Sequence, residues 1–293
     1  VIKIIPDTET QSMMFESGEL DILDLDYAAD SADRFTETYP DQIVQGPRVG
    51  IVYFTMNFNK EPFQDVRVRK AVQMSIDRQA ILDALYGGRG QVEQGIFPHG
   101  LIGFNPDQEE IKYDPEAAKA LLAEAGYPDG FTTTFVCPTS GSGNMFPHIM
   151  NEYIQKCAEE VGIHIELDMS ESGRVWYVMK VGFKDEYADV GALNTSFYTM
   201  FPNVFQKFAG TGGSFNTGKY SNPEYDACIE AAYAATDEAE STRQFIEAEK
   251  IFTEELPWVI VCNDRNLRVL APNVQNFAQS QTWYVDLTTV TVE

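Results

Sequence analysis

The alternation of apolar and polar positions along the chain predicts short strands separated by helices with well-marked ends. Strands are predicted at residues 1–5, 50–58, 131–137, 163–168 and 258–262, where β-branched and aromatic residues are enriched. Each of these runs is five to nine residues long, roughly the usual length of a strand in a globular protein.

Helices are predicted where a capping residue is followed by an apolar face with helical spacing. Asp114 followed by Pro115 opens one helix, which ends at Gly126. Asn222 and Pro223 open another in the same way. The apolar face of the first helix comprises Ala118, Leu121, Leu122 and Ala125.

Two further helical stretches follow each other in the segment DVRVRKAVQMSIDRQAILDALYGG, which ends at Gly87 and Gly88. The residues predicted to face inward from the first stretch are Val68, Ala71, Val72 and Ile76. This mixed order of strands and helices predicts an α/β (mixed α+β) fold.

The charge balance narrows the classes of partner. The 293 residues include 21 Lys and Arg against 45 Asp and Glu, a formal net charge of −24. With no basic run present, the chain lacks the electrostatic footprint of a nucleic-acid-binding protein. Anionic membrane surfaces would repel it. We interpret the acidity as a contribution to solubility.

The cysteines and histidines do not form a metal site. The cysteines lack a C-x-x-C pair and the histidines lack metal-ligand spacing, so no metal is predicted. We predict that the cysteines are small buried hydrophobic residues, although sequence leaves a disulfide open. They are Cys137, Cys157, Cys228 and Cys262.

No catalytic motif emerges. Adjacent acids at residues 109–110, 159–160 and 254–255 are typical of exposed helix faces. The chain has neither a G-x-S-x-G nucleophile elbow nor a phosphate-binding Gly-Lys-Ser/Thr loop. We therefore predict a protein that is not an enzyme and needs no cofactor. The histidines, predicted to lie on the surface or in packing contacts, are His99, His148 and His164.

The chain begins at Val1, inside a predicted strand, without an initiator Met or a signal peptide. No apolar run is long enough to span a bilayer. We expect the sequence to be a fragment whose N-terminal part is missing.

Five segments in order resemble the family 5 extracellular solute-binding proteins. They are FESGELDIL (residues 15–23), NFNKEPFQDVRVRKAVQMSIDRQAIL (57–82), YDPEAAKALLAEAGYPDGF (113–131), FNTGKYSNPEYDACIEAA (215–232) and AEKIFTEELPWVIV (248–261). Proteins of this family bind dipeptides, oligopeptides, nickel chelates and some sugars.

The resemblance implies a two-lobed, periplasmic-binding-protein-like fold (type II, peptide-binding cluster), here lacking much of the first lobe. Residues 1–56 would be part of the first lobe, residues 57–256 the second lobe, and residues 257–293 the return to the first. The chain would cross between lobes within residues 53–59 and 256–264, and the ligand would be enclosed when the lobes close about this hinge.

The implied function is that of the substrate-binding component of an ABC importer. It would capture oligopeptides outside the cytoplasmic membrane and deliver them to permease subunits. By the same resemblance the protein would be an extracytoplasmic monomer, either periplasmic or lipid-anchored on the outer face of the membrane. A chelated metal carried as ligand stays open.

The resemblance also points to ligand-binding residues. Peptide-binding relatives carry a W-x-x-D-Y-P-D-P-like loop whose first Asp pairs with the amino terminus of the ligand. Aligning residues 189–202 with that loop puts Tyr198 at the Asp position and Thr195 at an aromatic one. Together with Asn194, these neutral groups favour an uncharged or amide-rich ligand over a free amine.

Four other residues match positions that approach ligand in relatives. Trp176 corresponds to a cleft-lining Trp, although packing in the core is an equal alternative. Phe97 lies in a ligand-facing loop, and Tyr53 and Asn57 lie on a hinge strand. The charged residues predicted to be ion-paired scaffold rather than ligand contacts are Arg67, Arg69, Asp77 and Arg78.

Three rival functions remain open at this point. The same transport role for an oligosaccharide or another neutral polar solute is favoured by the missing Asp. A hydrolase of extracellular polymers would require turnover, and no arrangement of acids, Ser or His supports it. An interaction domain without a ligand gains weight if the chain is truncated.

Overall fold

The computed structural model describes residues 1–25, 29–47, 49–88, 90–139, 146–198, 204–263, 265–281 and 285–293. The side chains of residues 29, 30, 47, 197, 198, 204, 265 and 266 lie outside this description. No helix in the described ranges is both long and apolar enough to cross a membrane.

The strands are, in chain order, β1 (Ile22–Asp24), β2 (Ile43–Pro47), β3 (Gly50–Met56), β4 (Phe131–Pro138), β5 (Ile163–Ser170), β6 (Val190–Tyr198), β7 (Trp258–Cys262), β8 (Arg265–Leu270), β9 (Val274–Gln275) and β10 (Thr291–Val292). The α-helices are α1 (Thr8–Glu16), α2 (Ala29–Thr38), α3 (Glu61–Gln64), α4 (Val66–Ser75), α5 (Arg78–Tyr86), α6 (Pro115–Glu124), α7 (Pro147–Glu160), α8 (Ser172–Val181), α9 (Val204–Phe208), α10 (Pro223–Ala234) and α11 (Glu238–Glu255). Single 3₁₀ turns lie at Pro40–Gln42 and Asp185–Tyr187.

The chain forms two compact units, one of residues 1–49 and 264–293, the other of residues 50–263. The lobe boundaries expected from the family resemblance, 56/57 and 256/257, lie seven residues from these divisions in each case. The difference arises because β3 and β7 pair with each other, and β3 also pairs with β6, so both strands belong to the larger unit.

The larger unit is built on a five-stranded sheet in the order β5-β4-β6-β3-β7. Strand β4 runs parallel to β5 and β6, whereas β3 runs antiparallel to β6 and β7. All residues of β3 and of the edge strand β7 are buried, as expected of a sheet that is covered on both faces. This mixed sheet confirms the predicted α/β fold class.

Local capping and termination signals correctly located three helices of this unit, α5, α6 and α10. The Asp114 carboxylate accepts a hydrogen bond from the Ala117 backbone amide, and Pro115 is the first residue of α6. The Asn222 side chain caps α10 in the same way, and Gly87 ends α5 in the left-handed conformation. The predicted inward residues of α4 are all buried, namely Val68, Ala71, Val72 and Ile76.

Two expectations differ from the structure, one from a local pattern and one from the family resemblance. Residues 1–5 form no strand, and Val1, Ile2 and Ile4 are exposed because none of the described strands pairs with them. Residues 190–198, interpreted as part of a ligand loop, form the central strand β6. Pairing with β3 and β4 makes this segment a strand despite its polar stretch from Asn194 to Ser196.

The smaller unit has a core of its own. Strands β1 and β2 pair antiparallel with β8 on either side. Phe15 of α1 and Phe35 of α2 meet edge to face, 5.6 Å between ring centroids, and pack with Leu267 and Val269 of β8. A separate antiparallel pair joins β9 and β10.

The charged residues of the α4–α5 segment are structural, as predicted, but of the four only Arg67 has an ion pair among the described residues. Arg67 pairs with Asp65, and Asp77 caps α5 by accepting from the Ala80 amide. The described hydrogen bonds of Arg69 and Arg78 go mainly to backbone carbonyls, because both guanidinium groups are buried beside chain turns. Burial lowers the pKa of each to about 10, so both stay charged at neutral pH.

The cysteines follow the predicted burial with one exception. Cys137, Cys157 and Cys262 are buried, and Cys228 is half-buried. Burial is the main cause of the raised pKa of the Cys137 thiol, and the thiol is therefore neutral.

Candidate functional site

Strands β3 and β6 bring four of the predicted ligand-binding residues together. In the register of this antiparallel pair Tyr53 lies opposite Thr195, and Phe54 lies opposite Asn194. Asn57 follows β3, where its backbone amide donates to the Gly191 carbonyl at 2.8 Å. These four residues therefore lie close together in the fold, and their contact with a ligand stays a prediction.

The amides in this cluster are buried and bonded within the fold. Asn194 donates to the Tyr53 carbonyl at 3.1 Å and accepts from the Asn151 side chain at 3.2 Å. Asn57 donates to the Val190 carbonyl at 2.7 Å. Thr195 is also buried. These side chains cross-link the sheet to its surroundings, and satisfied buried amides of this kind stabilise a framework.

Tyr53 is fully buried as well. Its ring stacks on Trp258 of β7, with centroids 4.1 Å apart and planes inclined by 21°. The Trp258 ring in turn meets Phe252 of α11 edge to face. Burial raises the pKa of the Tyr53 hydroxyl far above its ordinary value, so this group is neutral at any physiological pH.

Phe97 is packed into the larger unit. It is 1% exposed, and its ring centroid lies 4.2 Å from that of Phe205 and 5.5 Å from that of Phe245. Its backbone amide donates to the Glu249 carboxylate. In this arrangement Phe97 anchors its loop on α9 and α11.

Trp176 differs from all of these because 55% of it is exposed. It lies on α8, and its ring centroid is 5.5 Å from that of Phe215. Phe215 stacks on Phe208 of α9, with centroids 5.1 Å apart and planes inclined by 18°. We call Trp176, Phe215 and Phe208 the aromatic shelf. A broad apolar face with one indole donor suits a flat or apolar part of a solute.

A charged pair lies at the start of α8, with Arg174 two residues before Trp176. Arg174 donates to the Asp168 carboxylate at 2.7 Å, and its guanidinium lies 5.6 Å from the Tyr187 ring centroid. The hydrogen bond from Arg174 lowers the pKa of Asp168. Both groups are thus ionised, and the pair adds no net charge at the start of α8.

Sequence reasoning found Trp176 but missed Phe208 and Phe215. Those two residues lie more than 30 positions away on another helix and a loop, and no local pattern joins them to α8. The remaining candidate, Tyr198, is the last residue of β6, opposite Gly50, and its side chain lies outside the described residues. Among the described residues, no group of three or more His, Cys, Asp or Glu side chains is placed to hold a metal ion.

The model of the bacterial extracellular solute-binding proteins, family 5 Middle, matches residues 1–221. The chain belongs to this family. The match covers four of the five segments on which the resemblance was based, at least in part, including the complete segment at residues 57–82.

The relatives share this sequence over nearly its whole length. The chain is 29% identical to heme-binding protein A of Haemophilus influenzae over 97% of this chain and 52% of the relative. It is 27% identical to the glutathione-binding protein GsiB of Salmonella paratyphi A over 93% of this chain and 54% of the relative. The chain therefore spans about half the length of the curated relatives it matches.

The structure of HbpA2 from Haemophilus parasuis superposes on the whole chain, covering 57% of that protein, with a TM-score of 0.85 and 25% sequence identity. This match confirms the predicted periplasmic-binding-protein-like fold for this chain.

Proposed function

We propose that the protein is the substrate-binding component of an ABC importer that captures peptides outside the cytoplasmic membrane and delivers them to a permease. Family membership supports the transport role. The glutathione-binding relative supports a peptide ligand, since glutathione is a tripeptide.

The observation that carries the proposal is the exposed aromatic shelf. Apolar patches on a protein surface often mark ligand-binding sites, and the exposed Trp176 ring lies against Phe215, which in turn stacks on Phe208. Its rigid ring offers a contact surface for a peptide side chain at a small entropic cost. We propose that Trp176 contacts ligand, whereas Tyr53, Asn57, Asn194 and Thr195 hold the framework behind it.

A thermal-shift screen tests the proposal on the protein produced at the length its gene encodes. Di- to hexapeptides are expected to raise the unfolding midpoint, because a ligand that binds only the native state stabilises it by mass action. Parallel arms contain neutral oligosaccharides and hemin. A shift with oligosaccharides alone would support the neutral-solute alternative, which Tyr198 at the Asp position favours. A shift with hemin alone would contradict a peptide ligand and would support heme as the ligand, as the name of the Haemophilus influenzae relative indicates for that protein.

The Trp176→Ala variant is expected to lose most of the peptide-induced shift while its unliganded midpoint stays close to that of the wild type. The ring is more exposed than buried, so its truncation removes little packing. Tyr177→Ala is the matched control, since Tyr177 is the next residue of α8 and is 52% exposed. Equal losses in both variants, or none in either, would contradict a specific role for the shelf.

A further inference from the structure

The loop between α5 and α6 is held on α11 through a buried carboxyl group. Glu249 of α11 is 2% exposed, and its two carboxyl oxygens accept hydrogen bonds from the backbone amides of Ile96 and Phe97 at 3.2 and 3.3 Å. The approach leaves no room for a side chain at Gly95, where an added Cβ would lie 1.6 Å from Glu249 Oε1. The loop backbone therefore lies directly against the carboxyl group.

A second buried carboxyl group, that of Glu93, lies near Glu249 and borders the same small cavity. Glu93 is 3% exposed and accepts from the His99 backbone amide and from the Asn263 side chain, each at 3.3 Å. Both carboxyl groups border a cavity of about 140 Å³, whose wall also includes Gln94 and Asn105. Such a volume, with several polar walls, has room for water.

The charged and titratable groups around Glu249 do not neutralise it. On the loop these groups are Glu93 and His99, whose Nδ1 lies 3.5 Å from Glu93 Oε1. On α10 it is Tyr225, whose pKa is raised by burial and by Glu249. On α5 it is Arg78, whose described hydrogen bonds go to the Glu93, Ile111 and Ile260 carbonyls and to Gln94.

No ion pair to Glu249 is found among the described residues. Burial, with a smaller contribution from Glu93, raises the pKa of Glu249 to about 8, although the two backbone amides act in the opposite direction. At neutral pH this carboxyl group therefore carries a proton for much of the time.

We propose that Glu249 and Glu93 form a proton-controlled clasp, in which the protonated Glu249 keeps the α5–α6 loop docked on α11 and loss of that proton to solvent loosens the loop. Without its proton, Glu249 carries a buried charge close to the Glu93 carboxyl group, and no described residue forms an ion pair with it. Lifting the loop admits water to both groups and relieves this cost.

The direction of the pH effect follows from linkage. A carboxyl group whose pKa in the folded state lies above its ordinary value of 4.5 stabilises the docked form fully below that value. The stabilisation is lost progressively as the pH rises toward about 8. This inference goes beyond the proposed transport role, and its test needs no ligand, so either can fail without the other.

Hydrogen exchange of the loop amides tests the clasp. After correction for intrinsic exchange, protection at residues 95–104 of the wild type is expected to fall at least about tenfold between about pH 6 and about pH 9, while protection in β4 and β5 stays constant. Glu249→Gln mimics the protonated acid and is expected to keep the loop protected across this range. Glu247→Gln removes the same charge from an exposed position on α11, and is expected to behave like the wild type.

Constant loop protection in the wild type would overturn the proposal, as would an unchanged loss of protection in Glu249→Gln. Glu93→Gln provides a second test that does not depend on the folding of Glu249→Gln. Without the neighbouring carboxylate, the ionised Glu249 is less unfavourable, so the loss of protection is expected to shrink. An undiminished loss in Glu93→Gln would contradict the coupling of the two carboxyl groups.

Discussion

Replacing Phe97 by alanine is expected to lower the free energy of unfolding by about 3–5 kcal/mol, the usual range for a fully buried phenylalanine. The ring is packed against Phe205 and Phe245, so its truncation to alanine leaves a cavity in the core. Urea unfolding measures the change in the free energy of unfolding, provided that the dependence of this free energy on urea concentration has the same slope in the variant and the wild type.

Tyr177→Ala serves as the control for this experiment, because that ring is about half exposed and its loss is expected to change stability by less than about 1 kcal/mol. A Phe97→Ala variant that unfolds like the wild type but no longer binds peptide would contradict the packing role. It would return Phe97 to the ligand-contacting role that the family resemblance implies.

Replacing Arg78 by methionine is expected to destabilise the protein by about 3 kcal/mol or more, since several buried acceptors lose their donor at once. The guanidinium bonds the Glu93 carbonyl at 2.8 Å and the Ile111 carbonyl at 2.7 Å, and also reaches Gln94. Chemical denaturation of the variant measures the effect. Arg78→Lys is expected to recover only part of it, because one ammonium group cannot span the same acceptors.

Arg67→Met is the matched control for Arg78, since it removes the same side chain from the neighbouring helix. Arg67 is partly exposed and pairs with Asp65, so its removal is expected to cost less than about 1 kcal/mol. Equal losses at the two positions would show that burial of the Arg78 guanidinium is not what makes it structurally important.

Local chemistry was sufficient to predict much of the fold. Asp114 and Asn222 cap their helices with short-range hydrogen bonds that involve residues two or three positions away, so the signal is contained in a few letters. The strand at residues 258–262 was predicted with the bounds that the structure has. Both kinds of element depend on residues close together in the sequence.

Long-range pairing explains what the sequence could not predict. Strand β6 contains polar residues at Asn194 and Thr195, and only its position between β3 and β4 makes that segment a strand. Arg69 was expected to find an acidic partner, but its nearest acceptors are carbonyls that the folded chain brings to it. Every residue has a backbone carbonyl, so the residue types alone do not show which carbonyl accepts a hydrogen bond from a distant side chain.

The candidate site shows the same limit. Trp176 was selected by family resemblance, but its supporting ring at Phe215 is 39 residues away and came only from the fold. Acids were considered as neighbours in sequence, whereas the two that share a cavity, Glu93 and Glu249, are 156 residues apart. Buried carboxyl groups of this kind become visible only when their surroundings are known.

A titration with a peptide identified in the thermal-shift screen tests the central claim most directly, using the wild type, Trp176→Ala and Tyr53→Phe. The account predicts that Trp176→Ala weakens binding by roughly tenfold or more, as truncation of an aromatic contact usually does. Tyr53→Phe keeps the buried ring stacked on Trp258, so its affinity is predicted to match that of the wild type. Full affinity in Trp176→Ala with a large loss in Tyr53→Phe would contradict the account, and would place the ligand against the paired strands rather than on the aromatic shelf.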